Sequence, residues 1–242
     1  MAKTEAGTGT GAGRRVSEAR ERLLRTAGQL FYAEGIHTVG VDRLVAESKV
    51  TNATFYRHFR SKEDLAVAYI GSVDQAIRAQ IGSLTAAKVP ADAVLRGIGA
   101  SLVEQIRSPG YRGCAFLNAA AEFPDPGHPV HRAVVEHREW FLQTITGLFA
   151  EITTVQAEYA GRHFVMLRDG AMSAGYLGDP VMAGETLLRG IEGLLRIHTA
   201  RGQDERTASA SASASASASA SGQVSPAATT VSDLACSPPP SA

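Results

Sequence analysis

The stretch VDRLVAESKVTNATFYRHF, Val41 to Phe59, carries two short helical patterns separated by a tight turn. Leu44, Val45 and Val50 fall at spacings that pack the two helices against each other. Thr51, Asn52, Thr54, Tyr56, Arg57 and His58 instead put hydrogen-bond donors and rings on the second segment, a set that no small core absorbs. Two crossed helices with the second turned outward read as a helix-turn-helix, and such a face suits phosphates and base edges.

The flanking residues set boundaries. Gly40 can serve as N-cap of the first helix, Thr51 is a strong N-cap for the second, and Ser61 with Asp64 three residues on resembles a capping box for a third. Upstream, Ser17 to Glu34 reads as an amphipathic helix with Ser17 as cap and Glu18 and Glu21 in its first turns. Its apolar positions are Leu23, Ala27, Leu30 and Phe31, and Gly35 stops it. Ile36 and Val39 then seal the junction. Short helices with polar faces occur in any helical protein, so the wider context has to separate a reading head from a solvated helix pair.

That context resembles a known family. The helix ending at Gly35, the run GVDRLVAESKVTNATFYRHF and the segment RSKEDL look like the DNA-binding domain of the TetR/AcrR family of one-component transcriptional repressors, from about Arg20 to about Tyr69. The run TFYRHFRSKEDL is the most specific part. The resemblance implies that Thr51, Asn52, Ala53, Thr54, Tyr56 and His58 approach DNA, with Tyr56 and Lys62 on phosphates. It also implies a switch in which ligand shifts the far end of the helix that begins at Ser61. One departure stands out: Lys49 occupies the turn where the family often has Gly. A positive φ there would strain a residue with a side chain, and a place for Lys49 beside the phosphate backbone would partly offset that strain.

Net charge over the 242 residues is zero, which argues against nucleic acid until the charge is located. Arg14 to Lys62 contains ten basic residues against five acidic; the chain after Lys62 contains 13 against 18. A basic head on an acidic body suits a protein that meets double-stranded DNA at one end. The composition, 44% hydrophobic and 20% charged, is that of a soluble globular chain. No run approaches the ~20 apolar residues of a membrane span. The opening MAKTEAGTGTGAGRR lacks the apolar segment of a secretory signal, so a cytoplasmic protein with no membrane partner is expected.

Beyond the head the periodicity stays helical. Leu65, Tyr69, Val73 and Ile77 recur every four residues in a long helix from Ser61 to near Ser83. Val94, Ile98, Leu102 and Ile106 mark a helix stopped by Pro109 and Gly110, and Gly113 to Phe123 marks another. Longer helices follow at about Val130 to Ala150, Val155 to Tyr176 and Val181 to Thr199. With no β-alternation the expected fold is all-α: an N-terminal three-helix DNA-binding domain with a helix-turn-helix, then a larger helical ligand-binding and dimerisation domain. The expected boundaries are 1–16 for a disordered arm, 17–62 for the DNA-binding domain, 63–203 for the helical body and 204–242 for a disordered Ser/Ala/Pro-rich tail. Arg14 and Arg15 in the arm either touch DNA or are merely solvated.

The last two body helices carry small residues on one side (Gly161, Gly170, Ala171, Ala174, Gly175) and Leu187, Leu188, Ile191, Leu194 and Leu195 on the other. They either complete the monomer core or pair with their copies in a four-helix interface. A homodimer also follows from the task, because one recognition helix buries too little, whereas a two-fold pair reads palindromic half-sites ~34 Å apart.

For a small hydrophobic effector the candidate lining is Tyr111, Phe116, Asn118, Glu122, Trp140, Phe141, Arg168 and Met172, apolar surface with a few orienting groups; ordinary core is the competing reading. Cys114 follows Arg112 and Gly113 at a helix start, which fits either a redox-sensing thiol or a small buried residue. Asp125, His128, His131, Glu136 and His137 cluster without a familiar metal-ligand spacing and read as solvated helix-entry residues. No catalytic motif and no cofactor site is legible, so an enzyme is not expected. The expectation is a ligand-responsive repressor that dimerises on a palindromic operator; an effector-independent DNA-binding protein and a Cys114 redox sensor are the alternatives.

Overall fold

Thr51 and Ser61 each place a side-chain oxygen under the backbone N–H three residues on, at 3.1 Å in both cases, and so fix where two helices begin. The computed structural model describes residues 10–153 and 156–221, all helices and connections with no strand among them. In chain order the helices are α1 Thr10–Glu34, α2 Val41–Ser48, α3 Asn52–His58, α4 Lys62–Ala86, α5 Ala91–Ile106, α6 Ala115–Glu122, α7 Pro129–Ala150, α8 Ala157–Leu177 and α9 Pro180–Ser221. The expected all-α fold, a helix-turn-helix head followed by a larger helical body, is what the chain adopts.

Between α2 and α3, Lys49 is left-handed, with φ 54° and ψ 46°, and its N–H returns to the Ala46 carbonyl. The expected strain is therefore present. α1 ends at Gly35, whose φ of +93° a side chain tolerates poorly.

α1, α2 and α3 close over Leu23, Ala27, Phe31, Leu44, Phe55 and Phe59, all buried. Leu65, Ala66 and Tyr69 on the first turns of α4 complete this core, with the Tyr69 ring edge-on to Phe31 at 5.9 Å. The same helix then runs into the body, where α7 packs against α4, α5, α6 and α8. α7 and α8 cross closely because α8 has Gly161 at the contact; a methyl there would lie 3.2 Å from the Thr146 backbone. Gly161 and Gly175 thus serve packing within the chain, Gly175 against Ile106, instead of the expected intersubunit stripe.

Two boundaries differ from expectation. α1 begins at Thr10, not Ser17, so residues 10–16 are helical; extending a formed helix is cheap, and Ala12, Arg14 and Arg15 are good helix formers. α9 continues to Ser221 through the Ser-Ala repeat expected in the tail, because Ala has the highest helix propensity and no Pro interrupts the run. The described residues up to 202 form one compact unit and those from 203 a second. The expected tail beyond Ser221, including Cys236, and the expected helix start at Val155 lie outside the described residues.

Candidate functional site

α3 is seven residues long and keeps only Phe55 fully buried, which anchors it while its other positions face outward. Thr51, Asn52, Ala53, Tyr56 and Arg57 are exposed and Thr54 and His58 half-buried, so the expected DNA-facing residues share one surface. Tyr56 stands edge-on against Phe55 at 5.1 Å, which holds its hydroxyl outward on a supported ring. Lys49 is exposed beside this face, and neither it nor Arg57 pairs with a carboxylate among the described residues. His58 has its pKa lowered by burial and by the nearby Arg57 and Arg20, so it is neutral at pH 7. Its Nε2 is buried without a hydrogen-bond partner.

Lys62 is placed differently from its neighbours. Its ammonium donates to the carbonyls of Ile36 at 3.0 Å, His37 at 3.3 Å and Val39 at 3.2 Å, using all three donors on the turn between α1 and α2. From the opposite side, Glu122 at the end of α6 accepts the N–H groups of Ile36 at 2.9 Å and His37 at 2.6 Å. The His37 ring returns a hydrogen bond to the Glu122 carbonyl at 2.8 Å and lies 4.6 Å from Phe123. One turn of backbone is held by a cation on its carbonyls and an anion on its amides. Nearby, the Tyr32 hydroxyl of α1 bridges the Arg112 N–H and the Gly113 carbonyl, each at 2.9 Å.

Behind this junction lies a polar network inside an aromatic shell. Asp74 of α4 accepts from Arg78 at 2.7 Å and from His137 Nδ1 at 2.8 Å. The His137 ring stacks flat on Phe116 at 3.6 Å, with Trp140 and Phe141 alongside, and Arg78 lies 4.1 Å over the Trp140 ring. Burial lowers the His137 pKa more than the bond to Asp74 raises it, so the ring is neutral with Nδ1–H donating. Burial pushes Asp74 up, but the bonds from Arg78 and His137 prevail and hold its carboxyl below the usual range.

Of the expected ligand set, Phe116, Trp140, Phe141 and Arg168 converge here, while Tyr111 and Met172 bond to each other through the Tyr111 hydroxyl and the Met172 carbonyl at 3.0 Å. Asn118 is exposed on the Arg112 carbonyl, and Glu122 is the tether just described. A half-open cavity of about 60 Å³ sits between α4, α5, α7 and α8, with the exposed Gln80 and Gln105 among its lining residues. Phe141 and Arg168 line it, together with residues that the sequence marks only as aliphatic helix positions or ordinary glutamines, such as Ile81, Ile98, Gln80 and Gln105. Cys114 is buried, 3.6 Å from the Arg168 guanidinium. No group of three or more His, Cys, Asp or Glu among the described residues can hold a metal ion. No helix among them is long and apolar enough to cross a membrane.

On the far side of α8 and α9 is an open groove of about 1020 Å³, floored by Gly170, Ala174 and Gly190 and flanked by Met166, Met182 and Ile197. These three side chains are 69, 55 and 51% exposed, an apolar face that isolated monomers seldom leave in water.

Residues 23–69 match the family described as "Bacterial regulatory proteins, tetR family". A TetR-family transcriptional regulator from Streptomyces coelicolor, whose crystal structure is known, is 57% identical; the match covers 76% of this chain and 97% of that one, with a TM-score of 0.73. The HTH-type transcriptional regulator TcmR of Streptomyces glaucescens is 33% identical over 81 residues, 34% of this chain and 36% of TcmR. An uncharacterized HTH-type regulator of Bacillus subtilis, YxaF, is 37% identical over 60 residues. The chain thus spans only about a third of the lengths of these two relatives, 36% and 31%. A TetR-family regulator from Agrobacterium tumefaciens, 21% identical with a TM-score of 0.66, shares the fold over 73% of this chain and 97% of its own.

Proposed function

This chain belongs to the TetR family, whose members are DNA-binding regulators and not enzymes, and from that premise we propose that it is a cytoplasmic, ligand-responsive repressor of transcription. In this reading residues 17–62 form the DNA-reading head and 63–203 a body that senses and dimerises. The observation that carries it is α3: one anchoring ring, Phe55, beneath a surface of Thr51, Asn52, Ala53, Tyr56 and Arg57.

The chemistry follows from the side chains. Asn52, Thr51 and Thr54 offer donors and acceptors to base edges in the major groove, and Ala53 offers a methyl that tolerates close approach. Tyr56, Arg57 and Lys49 take phosphates, which makes affinity fall with salt. Lys62 acts one step back, fixing the turn that positions α2.

The apolar groove between α8 and α9 is the natural seat of a second copy, giving a two-fold dimer on a palindromic operator. A small hydrophobic effector between α4 and its neighbours would bias α4, and with it the head spacing. A coupling of about 1–3 kcal/mol changes operator affinity roughly 5- to 150-fold, enough to switch a promoter. Fluorescence anisotropy with duplexes from upstream of the gene tests the reading: expected is tight, salt-dependent binding by wild type. Failure to bind at low salt would end it.

A further inference from the structure

The small cavity behind α4 has one charged wall. Arg168 is the sole ionised side chain among its lining residues and is only 4% exposed, while Ile81, Ile98, Leu102 and Phe141 make the rest of the surface largely apolar. A guanidinium in such a place is costly unless its charge and donors are matched.

Here they are matched incompletely. Nη1 donates to Asp169 at 2.7 Å, but the same carboxylate also takes Arg138 Nη2 at 2.7 Å, so two guanidiniums share one anion. Arg138 Nη1 is itself buried without a partner. Asp74, the other carboxylate of the network, is taken by Arg78 and the neutral His137. Nη2 of Arg168 meets only the Cys114 sulfur at 3.6 Å, a weak acceptor. The network of Arg78, Arg138 and Arg168 against Asp74 and Asp169 therefore holds one cation more than it holds anions.

We propose that this cavity takes a monocarboxylic acid as effector, its carboxylate on Arg168 and its compact apolar body between Ile81, Ile98 and Phe141. This rests on the ligand-responsive reading above. A carboxylate supplies the missing anion and two strong acceptors to a planar fork, while a neutral ligand of the same shape would leave the excess charge in place. Gln80, whose amide donates to Ser101 at 2.9 Å, and Gln105 offer further donors beside it. The resting space is small and opens to solvent beside the exposed Gln80 and Gln105, so a bulkier acid enters along the seam of α4 and α5 and presses on Ile77 and Leu84 of α4. Occupation of the cavity thereby bears on α4.

The test uses the full chain, with melting temperature and calorimetry read against butyrate, hexanoate, octanoate, benzoate and cinnamate at pH 7, each beside its amide. Expected are saturable stabilisation by at least one acid, none by its amide, and a roughly 10- to 100-fold weaker affinity in Arg168→Met, partly recovered in Arg168→Lys. Should Arg168→Met not fold, Ser101→Phe fills the cavity from α5 and is expected to abolish the same binding. Equal binding of acid and amide, unchanged affinity in these variants, or no response to any acid overturns the proposal. Release of operator DNA by neutral compounds alone would refute the acid while leaving the ligand-responsive reading intact. Binding of acids without any effect on DNA would keep the site and remove that reading.

Discussion

The carboxylate of Glu122, on the last turn of α6, accepts the backbone N–H of His37 at 2.6 Å, joining the body to the turn that enters the helix-turn-helix. Its other oxygen holds the Ile36 N–H at 2.9 Å. This ties α6 directly to the turn that precedes α2. Glu122→Ala leaves two amides without acceptors, each worth about 1–3 kcal/mol if they stay dry. The expected result is a lower melting temperature and, in anisotropy titrations, operator binding that effector no longer releases fully. Unchanged release would show the tether to be structural only.

Tyr56 is more than half exposed and stands edge-on against Phe55, so Tyr56→Ala should fold normally and lose operator affinity. Arg57→Ala should weaken binding on all sequences alike and lower the salt slope by about one. Normal circular dichroism with retained affinity in Tyr56→Ala would place the DNA face elsewhere.

Lys62 separates two mechanisms. If its role is to tie three carbonyls of residues 36–39, Lys62→Met destabilises the protein by about 1.5–3 kcal/mol and leaves the salt slope of DNA binding alone. If it also contacts phosphate, the slope drops by about one. Thermal melts and salt titrations of this one variant measure both.

Acid should destabilise the fold through His137 and His58. Both have folded pKa values below the ordinary ~6.5, so the unfolded chain binds the proton more readily and stability falls as pH drops from 7 toward 5. Asp74, also held low, adds to the loss only below the ordinary carboxylate value of ~4. His137→Gln is expected to flatten the pH 5–7 dependence of the melting temperature. A dependence as steep as wild type would remove His137 from the account.

Ile197 faces the open groove of α8 and α9 and is half exposed in the single chain. A glutamate there should yield monomers in sedimentation velocity and reduce operator affinity by the loss of paired half-sites, with little effect on the monomer's helicity. A dimer that survives Ile197→Glu would exclude this face as the interface.

What could be read in advance was local. Thr51 and Ser61 cap because their hydroxyls reach an N–H three residues away, Gly35 stops α1 through its own φ, and the left-handed Lys49 follows from the turn it occupies. The same locality explains the misses. Whether Lys62 meets a phosphate or three carbonyls, and whether Glu122 lines a pocket or caps a turn 85 residues away, depends on tertiary neighbours that no spacing encodes. The cavity was partly visible in Phe141 and Arg168, but that the exposed Gln80 and Gln105 edge it follows only once α4 and α5 are laid together. Gly161 and Gly175 read as an intersubunit stripe because a close approach within one chain leaves the same small-residue signature.

The expected boundary at residues 62 and 63 gives Leu65, Ala66 and Tyr69 to the body, yet they fill the centre of the head. A chimaera cut between residues 62 and 63 would strip that centre of its floor and should misfold, whichever partner supplied the new half. Exchange of operator preference between relatives has to carry the first two turns of α4 as part of the transplant, and the splice belongs beyond Ile70, where the helix has already left the head.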